Sequence, residues 1–98
     1  MTEDTEFWTV VDQFLRMLLN QFTDDLDDES IDAVLHYLEH DEYEMAFEGL
    51  FIELIKVNAV LSVEDANKCL KIGENLGINK DSVFDMNFWQ KLNTFLCK

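Results

Sequence analysis

Asp41-Glu42-Tyr43-Glu44-Met45-Ala46-Phe47-Glu48-Gly49-Leu50-Phe51-Ile52-Glu53-Leu54-Ile55-Lys56 is the stretch on which the fold turns. At about 100° per residue, Tyr43, Ala46, Phe47, Leu50, Leu54 and Val57 fall on one helical face. Met45, Phe51, Ile52 and Ile55 spread around the rest, so the segment is apolar nearly all round. A water-soluble helix of that kind is buried, with neighbours on several sides. The stretch therefore predicts a central buried helix, from about residue 42 to about residue 60, in an all-α, single-domain bundle of about five helices. Gly49 in mid-helix costs roughly 1 kcal/mol against alanine, which points to a second helix crossing closely there. Glu44 and Glu48, four apart, form a like-charge pair worth a few tenths of a kcal/mol of destabilisation. Two readings of that pair stand side by side: a strip that is solvated or paired with lysines elsewhere in the fold, or a strip kept acidic for a basic partner.

The 98 residues make one domain. With 48% hydrophobic residues and 12% aromatics there is material for a core despite a net charge of −14. No proline and only three glycines leave little tight-turn chemistry, which favours helices joined by short polar links. The N-terminus Thr2-Glu3-Asp4-Thr5-Glu6 is acidic where a secretory signal would be basic, and no apolar run approaches the roughly 18 residues of a membrane span. A cytosolic protein is expected. Cys69 and Cys97 then read as buried apolar residues or free thiols, not as a disulfide.

The charge is unevenly placed. Residues 1–55 hold 16 acidic side chains against the single basic Arg16, a net of −15, whereas residues 56–98 come to +1. Such a field repels nucleic acid and anionic membranes and speeds encounter with basic surfaces.

Taken in order, residues 5–22 predict a first helix capped by Asp4 or Thr5. Its inward face is Phe7, Val10, Val11, Phe14, Leu15, Leu18 and Phe22, widened by Trp8, Met17 and Leu19. Asp24, Asp25, Asp27 and Asp28 crowd the following link. Their density invites a calcium reading, but the spacing opposes an EF-hand. Counting from Asp25, the glycine position holds Ser30 and the bidentate glutamate position holds His36. Asp27 or Asp28 caps a second helix, about Glu29 to His40, with Ile31, Val34, Leu35 and Leu38 inward and Tyr37 at the edge. His36-Tyr37-Leu38-Glu39-His40 fits the H-x-x-E-H pattern of inverted zinc proteases. The chain is too short for a protease cleft, and histidines at a helix C-terminus suit the helix dipole without any metal. Asp41 breaks the chain before the central helix. Ser62 caps a fourth helix, with Asp65 completing a weakened capping box. On it Ala66, Cys69, Leu70 and Leu76 face inward and Lys68 and Lys71 outward; Gly73 loosens the helix and Gly77 ends it in the left-handed conformation. From Asp81 onward Val83, Phe84, Phe88, Trp89, Leu92, Phe95 and Leu96 form the last apolar face, with Asn87 placed to restart the helix after a kink.

No phosphate-binding glycine loop, nucleophile elbow or cysteine cluster with metal spacing is present, and Ser30, Ser62 and Ser82 each sit where a helix cap belongs. Nothing supports an enzyme, a cofactor or a resident metal.

The run from Leu35 to Leu50 resembles the small acidic helical immunity proteins of bacterial polymorphic toxin systems, of the Maf and contact-dependent growth inhibition type. The specific part is Tyr43-Glu44-Met45-Ala46-Phe47-Glu48 following a helix that ends in histidine, and the likeness extends over Leu35 to Lys56. The resemblance implies a cytosolic antitoxin that binds one cognate toxin domain, often a nuclease, and neutralises it by occlusion. The charge reading agrees independently, because nuclease surfaces are basic to suit an anionic substrate. The expected contact residues are Glu39, Asp41, Glu42, Glu44 and Glu48, with Tyr43 either an aromatic anchor or a core residue. Asp24, Asp25, Asp27 and Asp28 are the alternative surface. The competing function is an acidic adaptor or nucleic-acid mimic that sequesters a DNA-binding host protein.

Overall fold

Left-handed backbone at three positions divides the chain into its middle elements. Asp41 (φ 57°), Asn58 (φ 56°) and Gly77 (φ 81°) each lie two positions past the last residue of a helix, after its C-cap residue. At each, the next residue's N–H reaches five back to a carbonyl of the helix: Glu42 to Tyr37 at 2.9 Å, Ala59 to Leu54 at 3.1 Å, and Ile78 to Gly73 at 3.0 Å. The left-handed residue itself donates three back, to Leu38, Ile55 and Glu74 respectively. This pair of bonds is the Schellman ending, which satisfies carbonyls the helix leaves over. In a chain so poor in glycine, two of the three endings use an acid and an amide. Asp and Asn tolerate that conformation better than other L-residues.

The computed structural model describes residues 2–80 and 87–96, with side chains from residue 6 onward. The helices are α1 (Thr2–Gln21), α2 (Asp28–Glu39), α3 (Tyr43–Lys56), α4 (Val63–Asn75) and α5 (Phe88–Leu96), and no strand occurs among the described residues. The all-helical class and the five elements agree with expectation. Helix α1 begins earlier than Thr5, so the proposed caps at Asp4 and Thr5 lie inside it. Helix α3 stops at Lys56 rather than running to residue 60, because Asn58 closes it; Val57, expected inward, is consequently 41% exposed. The expected start at Asp81, with Ser82, Val83 and Phe84, lies outside the described residues, as does Cys97. Among the described residues the last helix begins where Asn87 accepts from the Lys91 N–H at 3.0 Å.

The start signals act as their chemistry requires. The Asp27 carboxylate accepts from the Ser30 N–H at 2.9 Å, and the Ser62 hydroxyl accepts from the Asp65 N–H at 3.1 Å. The Asp27 carboxyl is held below its usual range by the hydrogen bonds from Ser30.

Helix α3 packs against α1, α2 and α5, and Ala46, Phe47, Leu50, Phe51 and Leu54 on it are buried. Phe47 is the hub: its ring lies 4.8 Å from that of Phe51 and meets Phe88 edge-on at 6.3 Å. The same ring approaches Gly73 of α4, where an added Cβ would sit 3.3 Å from Phe47 Cζ and 2.5 Å from Trp89 Cζ3. Gly73 is thus the close crossing, letting α4 and α5 meet over α3, instead of a residue that merely loosens a helix. Gly49, which the sequence marks as the crossing, faces Tyr37 and Val34 of α2 at ordinary contact distances of 3.9 and 4.0 Å. Leu26 in the acidic link and Ile72 on α4 are buried core residues that helical periodicity alone did not single out. Cys69 is a free, fully buried thiol, and burial drives its pKa far above the ordinary value. The radius of gyration, 12.5 Å, is that of a folded chain of this length, about 13 Å for 100 residues.

Candidate functional site

Helix α2 must stop and reverse into α3, and the left-handed Asp41 makes the corner. Glu39 is the last residue of α2, Glu42 precedes α3, and Tyr43 and Glu44 begin it; Glu39, Asp41, Glu42 and Glu44 are all exposed. Acidic residues in the first turn of α3 also suit the positive end of its dipole. Their placement therefore has a local cause besides any partner.

Tyr43 resolves its two readings in an unexpected way. It is half-buried, but its ring packs face to face on Trp8 of α1, with centroids 4.9 Å apart and planes 13° from parallel. Phe7 supports Trp8 from beside, at 5.0 Å and a 58° tilt. The Tyr43 hydroxyl donates to Asp41 Oδ1 at 3.2 Å. Burial first, then the bond to Asp41 and its charge, hold the phenol above its ordinary pKa of 10.0. At neutral pH the tyrosine is a donor, and it fixes the Asp41 side chain.

Two clefts flank this aromatic pair. The larger, about 550 Å³, is lined by Trp8, Thr9, Asp12, Gln13, Asp41 and Tyr43. The smaller, about 220 Å³, is lined by Trp8, Asp41, Glu42, Tyr43, Glu44 and Met45. Asp12 is engaged by Arg16, whose Nε lies 3.1 and 3.0 Å from the two carboxylate oxygens. A second salt bridge among the described residues, Lys56 to Glu53 at 3.2 Å, also stays within one helix. Neither reaches Glu42 or Glu44. The structure thus brings Asp41, Glu42, Tyr43 and Glu44 together and adds Trp8 and Asp12, which sequence reading missed as site residues. Trp8 is 35 positions from Tyr43, and the only trace of the pairing in the sequence is an aromatic on the widened edge of α1.

Glu48 is the correction. It was expected as an exposed contact four residues from Glu44, but it is fully buried among Phe47, Leu50 and Phe51 on α3. The strip does not continue past the first turn of α3: Glu48 lies level with buried Phe47, Leu50 and Phe51, and the charged side chains of α3 that reach solvent further along are Glu53 and Lys56. No buried side-chain oxygen or nitrogen among the described residues lacks a hydrogen-bond partner. Glu48 belongs to the interior and cannot contact a partner.

The alternative acidic surface is real but separate. Asp24, Asp25, Asp27 and Asp28 are all exposed at the N-terminal end of α2, with Asp27 occupied as its cap. At 1.5 Å per residue the 12 residues of α2 put the two patches about 18 Å apart. Screening at physiological salt acts over about 8 Å, so each patch meets its surroundings almost independently. The His36 and His40 rings lie side by side on exposed helix surface, centroids 4.4 Å apart and planes tilted by 58°. Among the described residues no group of three or more histidine, cysteine or carboxylate side chains is placed to hold a metal ion. Among the same residues, no helix is long and apolar enough to cross a membrane.

No family model matches the chain, and no curated protein or solved structure matches it either.

Proposed function

We propose that this protein is a binding module that neutralises a basic protein domain, an antitoxin of the kind its α2–α3 segment resembles. In this reading the α2–α3 corner covers part of the toxin's cationic surface, and a nuclease is the toxin class whose surface suits it best. One observation carries the reading: exposed Asp41, Glu42 and Glu44 border a half-exposed Trp8–Tyr43 stack. An aromatic centre with a charged rim is the composition of a protein-binding hot spot, where the rings supply contact area at low entropic cost. The carboxylates steer the encounter, and chemistry by the module itself is not required.

The test begins with capture of the bound protein from the native host and measurement of its activity against increasing amounts of the module. Stoichiometric loss of toxin activity is expected. Association is then timed for the parent and for the Glu42→Lys/Glu44→Lys variant. Steering of this kind raises on-rates by about 10-fold or more at low salt, so the variant should associate about that much slower and show a flatter salt dependence. Equal rates at low ionic strength would remove the corner from the contact surface.

A further inference from the structure

We propose that the smaller of the two clefts beside the Trp8–Tyr43 stack is a socket for one arginine side chain of a protein partner. Its volume, about 220 Å³, lies below the roughly 300–1,000 Å³ typical of small-molecule sites, which suits a single inserted side chain. Its walls are of two kinds. Trp8, Tyr43 and Met45 offer ring surface and a polarisable thioether, while Asp41, Glu42 and Glu44 offer carboxylates.

Charge chooses between the two clefts. In the larger, Asp12 already holds the Arg16 guanidinium through both oxygens, so its acidity is spent within the molecule. In the smaller, Glu42 and Glu44 meet no cation among the described residues. Asp41 is oriented by the Tyr43 hydroxyl on Oδ1, and no described residue donates to its Oδ2. The Asp41 acceptor is therefore oriented before a partner arrives, which limits its share of the ordering cost of binding.

The ring surface selects the cation. A guanidinium is flat and weakly hydrated; it can lie against an aromatic face while its fork of N–H groups reaches two carboxylates. A lysine ammonium is a compact, strongly hydrated charge that the acidic surface attracts anywhere, and it gains less from the rings than a flat guanidinium does. Discrimination between the two, and not affinity for cations as such, is the signature of a socket.

The experiment follows the ¹⁵N-labelled protein by NMR during titration with N-acetyl-arginine amide and, separately, N-acetyl-lysine amide at one ionic strength. The Trp8 indole N–H and the Tyr43 and Glu44 amides should shift saturably with the arginine amide. Half-saturation should need about 2- to 5-fold more of the lysine amide, the range expected of an exposed cation–ring contact. Glu42→Gln/Glu44→Gln, at two exposed positions, should weaken arginine binding about 3-fold or more, as the loss of two charge-assisted acceptors requires. Asp24→Asn/Asp25→Asn should leave it unchanged. Equal half-saturation for the two amides, or shifts as large around Asp24 and Asp25, would mean diffuse counterion attraction and overturn the socket.

The socket rests on the antitoxin reading only for the identity of the protein that carries the arginine. Arginine amide seating at Trp8 with no neutralised toxin found upholds the socket and sinks that reading. A salt-sensitive toxin complex that Glu42→Gln/Glu44→Gln leaves at full affinity does the reverse.

Discussion

Glu48 and Glu44 lie one helical turn apart and live in different media. Glu44 is in water at the start of α3, and replacing it by lysine should change stability by no more than about 0.5 kcal/mol, as for most surface positions. Glu48 is enclosed, and lysine there puts an unmatched cation and a longer chain into a filled interior; a loss of about 3–5 kcal/mol is expected. Urea midpoints of the two single variants measure the difference directly. The glycines divide in the same way. Gly49→Ala places a methyl at ordinary contact distance from Tyr37 and Val34 and should stabilise by about 0.5–1 kcal/mol through lower unfolded-state entropy. Gly73→Ala drives a methyl to 2.5 Å from the Trp89 ring and should cost about 1–3 kcal/mol. The same unfolding curves check both, and a reversed order would mean that α4 and α5 do not cross at Gly73.

Among the elements, the three Schellman endings differ in what their left-handed residue is for. Asn58 touches no proposed contact surface, so Asn58→Gly should stabilise the protein, by up to about 1 kcal/mol, and leave partner binding alone. Asp41→Gly should stabilise comparably, yet it deletes a carboxylate from both clefts and should weaken partner binding. Thermal melts paired with binding titrations separate the two. If Asp41→Gly binds as well as the parent, the corner is only a turn. Tyr43 couples the corner to α1. Its phenol keeps its proton above pH 10.0, so its contribution to stability is complete below that value and is lost as pH rises through the raised pKa. Asp27 has the opposite sign. Its depressed carboxyl supports the start of α2 at neutral pH and loses that support as pH falls below 3.8, through the lowered value.

For the whole molecule, −14 charges on a body with extents of 37 × 27 × 25 Å mean self-repulsion as well as attraction for cations. Added salt should therefore raise the melting temperature of the free protein while lowering its affinity for a basic partner. A melting temperature that falls with sodium chloride, or stays flat, would show that the acidic half is already neutralised internally. The lysines of the other half are placed differently. Lys68 lies over the Phe14 ring at 5.5 Å, and with Lys71 it borders a groove of about 600 Å³ between α1 and α4 that also holds half-buried Phe7 and exposed Val10.

The chain's own pattern determined the helical class, the central place of α3, a cap at Asp27 or Asp28, the cap at Ser62, the break at Asp41 and the end at Gly77. Each of these follows from periodicity or from a side chain acting within a few residues of itself. Tertiary structure alone decided that Glu48 is interior and Glu44 is not, because both are glutamates on one helix and only the neighbours on its other sides tell them apart. It also decided that Gly73 rather than Gly49 is the close crossing, and that Trp8 of α1 completes the site begun by Tyr43. Those are contacts between residues far apart in the chain. Local propensity carries no record of such contacts, since they form only when the packing of one helix on another fixes which side chains meet.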